Sequence, residues 1–562
     1  MTRSDEREAP VDAAVAAPAA AWASAERLLA AQLAALLVAK VAVNAFADEP
    51  FVDGAYYGDI AAHVRDGHGF VSSASLYHAG YPSFPYPSSV YPIWPLLLGL
   101  CARLAPLELL AVWLPTTFYF VTLIVGYHWV RALAPRPLAP ATLPGAHAGH
   151  VFVALAGTSP TFFAATSQPF TEGLAFAALV TALWRWTRLF RTPTLAGGLE
   201  VGLTAAVLLL IRAQFVVVLP GVAVGAAVAA LRAPGPAIGF GVAAAAGFLL
   251  GVAPQWAHLS TFVSPTPEHF LRFERFQLDP RLARIELLVP TDGPLDYLLD
   301  RGAGVLLAWN DLGSYAYAKN FGALQWALPA ALLVWSAALV RDLRHGGLIA
   351  RARAAWRDVR HPDAAYAAMF AAFGLAALVT LHMLHKGAGF RAWNFHIRHA
   401  LPVGFVFGAC LLWLTRQGAV PRLIAAWLFG ASLYAGVLGV GTAAEQVRES
   451  EGWAKQRAAA VEWLERRRAT DPDLRIATIE AQRLAWHTDG IGFHGVYTPT
   501  TTSDLRVLFD DLGADALLVP GRTTHEFLTD PVFEQLFREL PDELPGWRVF
   551  VRQPPTTTPA AL

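Results

Sequence analysis

The chain has 562 residues, in which 43 Lys plus Arg balance 43 Asp plus Glu. Hydrophobic residues make up 55% and charged ones only 15%, against about 25% charged in an ordinary soluble domain. That excludes a disordered chain, which needs the opposite balance, and zero net charge argues against a nucleic-acid partner. The only cysteines, Cys101 and Cys410, sit in separate apolar runs, so neither a disulfide scaffold nor a cysteine-based zinc site is open to the chain. A polytopic α-helical membrane protein remains.

In chain order, residues 1–25 read as a polar, Ala/Pro-rich cytoplasmic tail without the layout of a signal peptide. The first apolar run, at 28–47, is long enough to cross a hydrocarbon core of roughly 30 Å as a helix. Further spans are expected at about 108–130, 150–167, 170–190, 196–212, 214–231, 236–258, 322–340, 364–385, 399–415 and 420–441. Residues 91–105 open with Tyr91-Pro92-Ile93-Trp94-Pro95 and are too short and proline-rich to cross. They are placed as a helix lying in the membrane interface. About 11 spans and a cytoplasmic amino terminus put Arg131, Arg136, Arg185, Arg188, Arg191, Arg232, Arg416, Arg422 and the Arg-rich segment 341–363 inside, which fits the positive-inside bias. Counting 91–105 as a span would turn that last segment outward.

Three regions then lie on the outer face: the loop at about 48–107, the loop at about 259–321, and everything after about 442. The last region, 442–553, reads as a small soluble α/β domain, with 554–562 a frayed tail and 26–441 the membrane part. An amphipathic helix is expected over Trp453–Arg468, strands over Leu474–Ile479, Ala514–Val519 and Trp547–Val551, and helices over Ser503–Leu512 and Asp530–Leu540. The second loop sets Arg272, Arg275, Arg281 and Arg284 among Glu268, Glu274, Asp279 and Glu286, a solvated, partly helical cap with the makings of a lid.

The first outer loop concentrates carboxylates within a turn or two of the first span: Asp53, Asp59 and Asp66 among Tyr56, Tyr57 and Gly67. Facing it in sequence logic is a cationic outer segment, His385-Lys386 to His399, which holds Lys386, Arg391 and Arg398 and no acid. Positive charge outside breaks the usual bias, and an anion such as a phosphate group, or ordinary anionic lipid, would balance it. Arginine suits bidentate phosphate contacts. Glu172, at a span end, is a functional candidate by position, with a plain solvated carboxylate as the alternative. His382, His385, His396 and His399 mimic paired zinc ligands, but they have no cysteine or carboxylate company and read as packing or polar residues.

The register Asp53, Tyr57, Asp59-Ile60 and Gly67 after a first span resembles the polyprenyl-phosphate-sugar-dependent glycosyltransferases of the GT-C fold, in particular the lipid A aminoarabinose transferase and protein O-mannosyltransferase group. Tyr91-Pro92-Ile93-Trp94-Pro95 is similar to that family's entry to an interfacial helix, and Ser167–Glu172 to the site of its second acid. Ile397-Arg398-His399-Ala400-Leu401-Pro402 resembles its Arg-Tyr-x-Leu-Pro signature, and Leu484–Gly490 a Trp-centred turn of its outer domain. Gly54 and Tyr56 stand where the aminoarabinose enzymes carry Glu and Arg, so sugar and lipid contacts are expected to differ.

The resemblance implies an enzyme that moves one sugar from a polyprenyl-phosphate carrier to a glycolipid, polysaccharide or protein acceptor outside the cytoplasm. Asp53 would serve as general base in an inverting displacement. Glu172 would assist it, orient the acceptor, or share a divalent cation with it; no cofactor is otherwise called for. Tyr56, Tyr57 and Asp59 would contact substrate, and Lys386, Arg391, Arg398 and His399 the donor phosphate. The competing reading is a transporter or flippase of envelope glycan precursors. It would call for paired halves with broken helices, whereas the informative polar residues lie at span ends. Arg212 is the main exception, and reads as the outer break between two spans.

Overall fold

The computed structural model describes residues 11–47, 50, 52–75, 84–88, 90–133, 147–158, 160–259, 363–373, 376, 444, 451–496, 502–521, 523–541 and 543–553. The expected spans at 322–340, 399–415 and 420–441, the second loop, and the segment with Lys386, Arg391, Arg398 and His399 lie outside the described residues.

The chain opens with α1 (Val11–Asn44), followed by α2 (Val52–Arg65), three two-residue strands β1 (Val71–Ser72), β2 (Ala74–Ser75) and β3 (Tyr86–Pro87), and α3 (Ile93–Cys101). The apolar helices follow: α4 (Leu107–Leu133), α5 (Ala148–Gly157), α6 (Pro160–Ala165), α7 (Glu172–Leu189), α8 (Leu195–Ile211), α9 (Val218–Arg232), α10 (Pro234–Leu259) and α11 (Ala364–Phe373). Among the described residues, three helical stretches are long and apolar enough to cross a membrane: Leu107–Leu133, Phe215–Arg232 and Pro234–Pro254. Large side chains such as Leu203, Val207, Ile238, Val242, Leu249 and Leu250 face outward from α8 and α10, as they would toward lipid.

Two expectations need correction. The run read as one span at 150–167 is two helices, α5 and α6, because Pro160 has no N–H to continue the ladder and instead opens α6, where a missing donor costs nothing. The tail read at 1–25 is helical from Val11, as its alanine content favours. The segment 91–105 holds the nine-residue α3, about 14 Å long at 1.5 Å per residue, half a bilayer core.

The helices pack around large aromatic groups, several of whose polar tips find partners. Trp129 donates to Tyr366 Oη at 2.9 Å, Tyr366 to the Leu183 carbonyl at 3.2 Å, Trp186 to Thr204 at 3.0 Å and Tyr119 to the Gly157 carbonyl at 2.6 Å. α8 and α10 approach backbone to backbone: a methyl group on Gly202 would sit 2.0 Å from the Ala244 carbonyl oxygen, the small-residue packing that apolar helices use in lipid.

The rest of the chain adds α12 (Glu451–Arg468), β4 (Arg475–Thr478), α13 (Ala481–His487), β5 (Gly492–Gly495), α14 (Thr502–Asp510), β6 (Ala516–Pro520), α15 (Pro531–Leu536), β7 (Phe537–Leu540) and β8 (Trp547–Arg552). A six-stranded sheet runs β2-β5-β4-β6-β8-β7, with parallel pairs from β2 to β6 and antiparallel ones beyond. Its first strand belongs to the loop after α1, with Ala74 opposite Phe493 and Ser75 opposite His494. Tyr86 adds a second tie, its hydroxyl 3.3 Å from His494 Nε2. The first loop and the carboxyl-terminal sheet are thus one folded unit.

Candidate active site

The site grows from the two faces of α2. Tyr56, Ile60 and Val64, four residues apart, are buried in one apolar cluster with Trp463, Ile476, Leu484 and Phe493 beneath the sheet. Tyr57 and Ala61 face the other way, into a cluster with Trp94, Leu98, Phe118, Leu174 and Trp486. Trp486 of α13 packs directly on Gly58, where a methyl group would come within 1.9 Å of its ring. The expected Trp-centred turn is therefore the end of α13, closed at Gly490 with φ 65°, and it covers the helix that carries the carboxylates. Gly58→Ala should force the ring away and lower stability by about 1–3 kcal/mol; a thermal midpoint equal to wild type would show that the ring has other room.

Asp53 sits in the first turn of α2, where unpaired helix N–H groups favour a negative charge, and its side chain is partly open to solvent. The next residue, Gly54, touches the Pro169 ring, with 3.2 Å left for a methyl group. The Pro169 carbonyl accepts a hydrogen bond from Trp94 Nε1 of α3 at 2.7 Å. Three residues on, Glu172 opens α7. Asp53 and Glu172 thus flank one contact, at the junction of α2, α3 and the turn 166–171.

Glu172 is only 1% exposed, so it is not a solvated helix end. Its Oε1 pairs with Arg212 Nη1 at 2.5 Å. Arg212 also donates to Thr171 Oγ1 at 3.2 Å. Arg212 stands in extended conformation (φ −162°, ψ 126°) between α8 and a 3-10 turn at Ala213–Val217. It marks the expected break between two helices, and the break is what turns its guanidinium toward Glu172. The sequence placed these two residues separately; their pairing is visible only in three dimensions.

Asp59, buried at 4% exposure, is committed locally. Its Oδ2 accepts from the Ser72 hydroxyl at 2.6 Å and the Ser73 N–H at 2.7 Å, and His63 Nε2 is 3.8 Å from Oδ1. These bonds tie α2 to the β1–β2 segment. Burial pushes the Asp59 carboxyl above its ordinary value, outweighing the opposite pull of His63, Ser72 and Ser73. The folded chain then holds a proton that the unfolded chain has released, so this contribution to stability is full below the ordinary carboxyl value and is lost as pH rises through the raised one. Asp59→Asn removes that slope and should gain on the wild type as pH rises above the ordinary carboxyl value. Thermal melts of both proteins across that range check it, and parallel curves would contradict it.

A further polar group escaped the sequence reading altogether. Lys40, in the apolar run of α1, is fully buried beside the turn 166–171. A lysine within an apolar span is itself an indication of function, and it could have been singled out from sequence. Among the described residues, no group of three or more His, Cys, Asp or Glu side chains is placed to hold a metal ion.

No family model matches the chain, and no curated protein matches it. Solved structures do resemble it over nearly all its length. The crystal structure of ArnT from Cupriavidus metallidurans bound to undecaprenyl phosphate is 11% identical, covers 94% of this chain and 98% of its own, and superposes with a TM-score of 0.49. The archaeal oligosaccharyltransferase AglB from Archaeoglobus fulgidus, in complex with an inhibitory peptide and a dolichol-phosphate, is 12% identical over 93% of this chain and 74% of its own, with a TM-score of 0.48. At such identities no residue role carries over, and the site stands on its own geometry.

Proposed function

We propose that the chain is a membrane glycosyltransferase that moves a single sugar from a polyprenyl-phosphate carrier to an acceptor on the non-cytoplasmic side. The observation that carries this reading is the junction of Asp53 and Glu172, two carboxylates on separate helices that flank the Gly54–Pro169 contact, where apolar helices meet the unit that holds the sheet. A polyprenyl phosphate keeps its tail among lipid chains, so its sugar waits at headgroup depth, and the catalytic groups must stand at such a boundary. Asp53, partly open and at a helix start, takes the proton from the acceptor hydroxyl as that oxygen attacks the anomeric carbon. The C–O bond to phosphate breaks on the opposite side, and the configuration inverts.

Glu172, paired with Arg212, assists the base from across the Gly54–Pro169 contact. Tyr57 lines the approach. Tyr56 and Asp59, both buried, position α2 from behind. In this reading the donor phosphate is met by Lys386, Arg391, Arg398 and His399, the amino terminus lies in the cytoplasm, eleven helices cross the plasma membrane, and residues 442–553 lie outside.

The test uses the purified protein in lipid nanodiscs, radiolabelled polyprenyl-phosphate hexoses and pentoses, and delipidated envelope glycans as acceptors. Label passing to the glycan fraction supports the reading, and mass spectrometry of the product identifies sugar and acceptor together. Movement of the labelled lipid between leaflets of a vesicle, with no label passing to any acceptor, would assign the chain to transport.

A further inference from the structure

Lys40 lies one turn before the end of α1 and is completely shielded from solvent. Its Nζ donates to three oxygens: Thr166 Oγ1 at 2.8 Å, Ser167 Oγ at 2.7 Å, and the Phe163 carbonyl. Three acceptors match the three donors of a lysine ammonium. The remaining surroundings are aromatic, with the nitrogen 4.6 Å from the Phe163 ring centroid and 5.1 Å from that of Tyr119. A lysine is costly to place in an apolar span, and such residues pair with carbonyls or with one another when they have a role.

The three acceptors lie in the last turn of α6 and the two residues just beyond it, where a helix's last carbonyls attract a positive charge. Both hydroxyls are themselves fixed, because Thr166 donates to the Phe162 carbonyl at 2.7 Å and Ser167 to that of Phe163 at 3.2 Å. One helical turn further along α1, Asn44 donates to Thr116 Oγ1 at 3.0 Å, and Thr116 donates to the Thr166 carbonyl at 3.1 Å. Together these bonds anchor to α1 and α4 the segment that runs on through Pro169, against Gly54, to Glu172.

We propose that Lys40 is a positioning residue: by binding the last turn of α6 and the two residues after it, it fixes the turn 166–171, and through that turn the place of Glu172 across the Gly54–Pro169 contact from Asp53. The role in turnover rests on the transferase reading, whereas the ordering of the turn does not. Lys40→Met keeps the length of the side chain and removes every donor.

Hydrogen exchange of the protein in nanodiscs reads the turn directly. Amides of Thr166, Ser167 and Phe170, bonded in the structure to the Phe162, Ala164 and Gln168 carbonyls, should exchange at least ten-fold faster in Lys40→Met, with β4 and β5 unchanged. Ser167→Ala, which removes one acceptor and keeps the lysine, should show a smaller acceleration at the same amides and serves if Lys40→Met does not fold. Unchanged exchange in the turn, or equal acceleration across the whole chain, overturns the proposal.

In the transfer assay, kcat should fall at least ten-fold with the KM for donor within two-fold of wild type. Lys40→Gln, which keeps two donors, should recover part of the loss. A looser turn with wild-type kcat overturns the link to chemistry. A wild-type protein that transfers no sugar from any donor defeats the transferase reading instead, and leaves the exchange result to decide the anchoring.

Discussion

Replacing Asp53 by Asn should lower kcat for sugar transfer by about two to four powers of ten, the usual worth of a well-placed general base. The amide has the carboxylate's size and can still accept hydrogen bonds at the start of α2, so the fold and the KM for donor should hardly move. The side chain is partly open and lies in the first turn, where loss of a favourable charge costs at most about 1 kcal/mol. A fall in kcat at constant thermal midpoint is therefore the diagnostic pair. Transfer at the wild-type rate by Asp53→Asn would remove this carboxylate from the reaction and leave Glu172 as the nearest candidate base.

Arg212→Met should be the most damaging single change to stability among the residues of the site. It leaves the Glu172 carboxylate, 1% exposed, without its guanidinium, and breaking a buried pair in this one-sided way costs about 3–5 kcal/mol. The variant should melt well below wild type in detergent, and addition of a lipid-linked sugar should restore little of the loss. The double change Glu172→Gln with Arg212→Met removes both charges and should recover most of the stability but not the activity. Recovery of both would mean that the pair serves packing alone. A double variant as unstable as Arg212→Met would mean that the guanidinium has a separate role against Thr171.

Periodicity alone located much of the architecture. The apolar runs at 108–130, 170–190, 196–212 and 236–258 fall on α4, α7, α8 and α10 within a few residues, since the need to satisfy the backbone in lipid forces a helix. The strand-like runs at 474–479, 514–519 and 547–551 fall on β4, β6 and β8 to within one or two residues for an equally local reason. Where neighbours decide, the reading failed. Asp530–Leu540 was expected to be one helix, yet Phe537–Leu540 pairs with β8 as a strand, because a partner's hydrogen bonds outweigh a weak helical preference.

The candidate site divides in the same way. Asp53 and Glu172 could be singled out because each stands at the start of a helix beside an apolar run, a position readable from sequence. Arg212 reads as a break but not as Glu172's partner, and Lys40, although a lysine in an apolar run is itself a signal, gives no sign along the chain of what it binds. Both depend on contacts between distant segments, up to 127 residues apart for Lys40 and Ser167. No pattern along the chain records such contacts.

The strand that the first loop lends to the carboxyl-terminal sheet has a consequence for biosynthesis. Tyr86 must wait for His494, 408 residues later in the chain, before the segment behind Asp53 acquires its final hydrogen bonds. Throughout translation the nascent protein therefore carries an unfinished candidate site, completed only when the carboxyl-terminal sheet has formed and taken up the strand of the first loop. Under the transferase reading, a product cut short before that point would be inert, and half-made copies would consume no lipid-linked sugar.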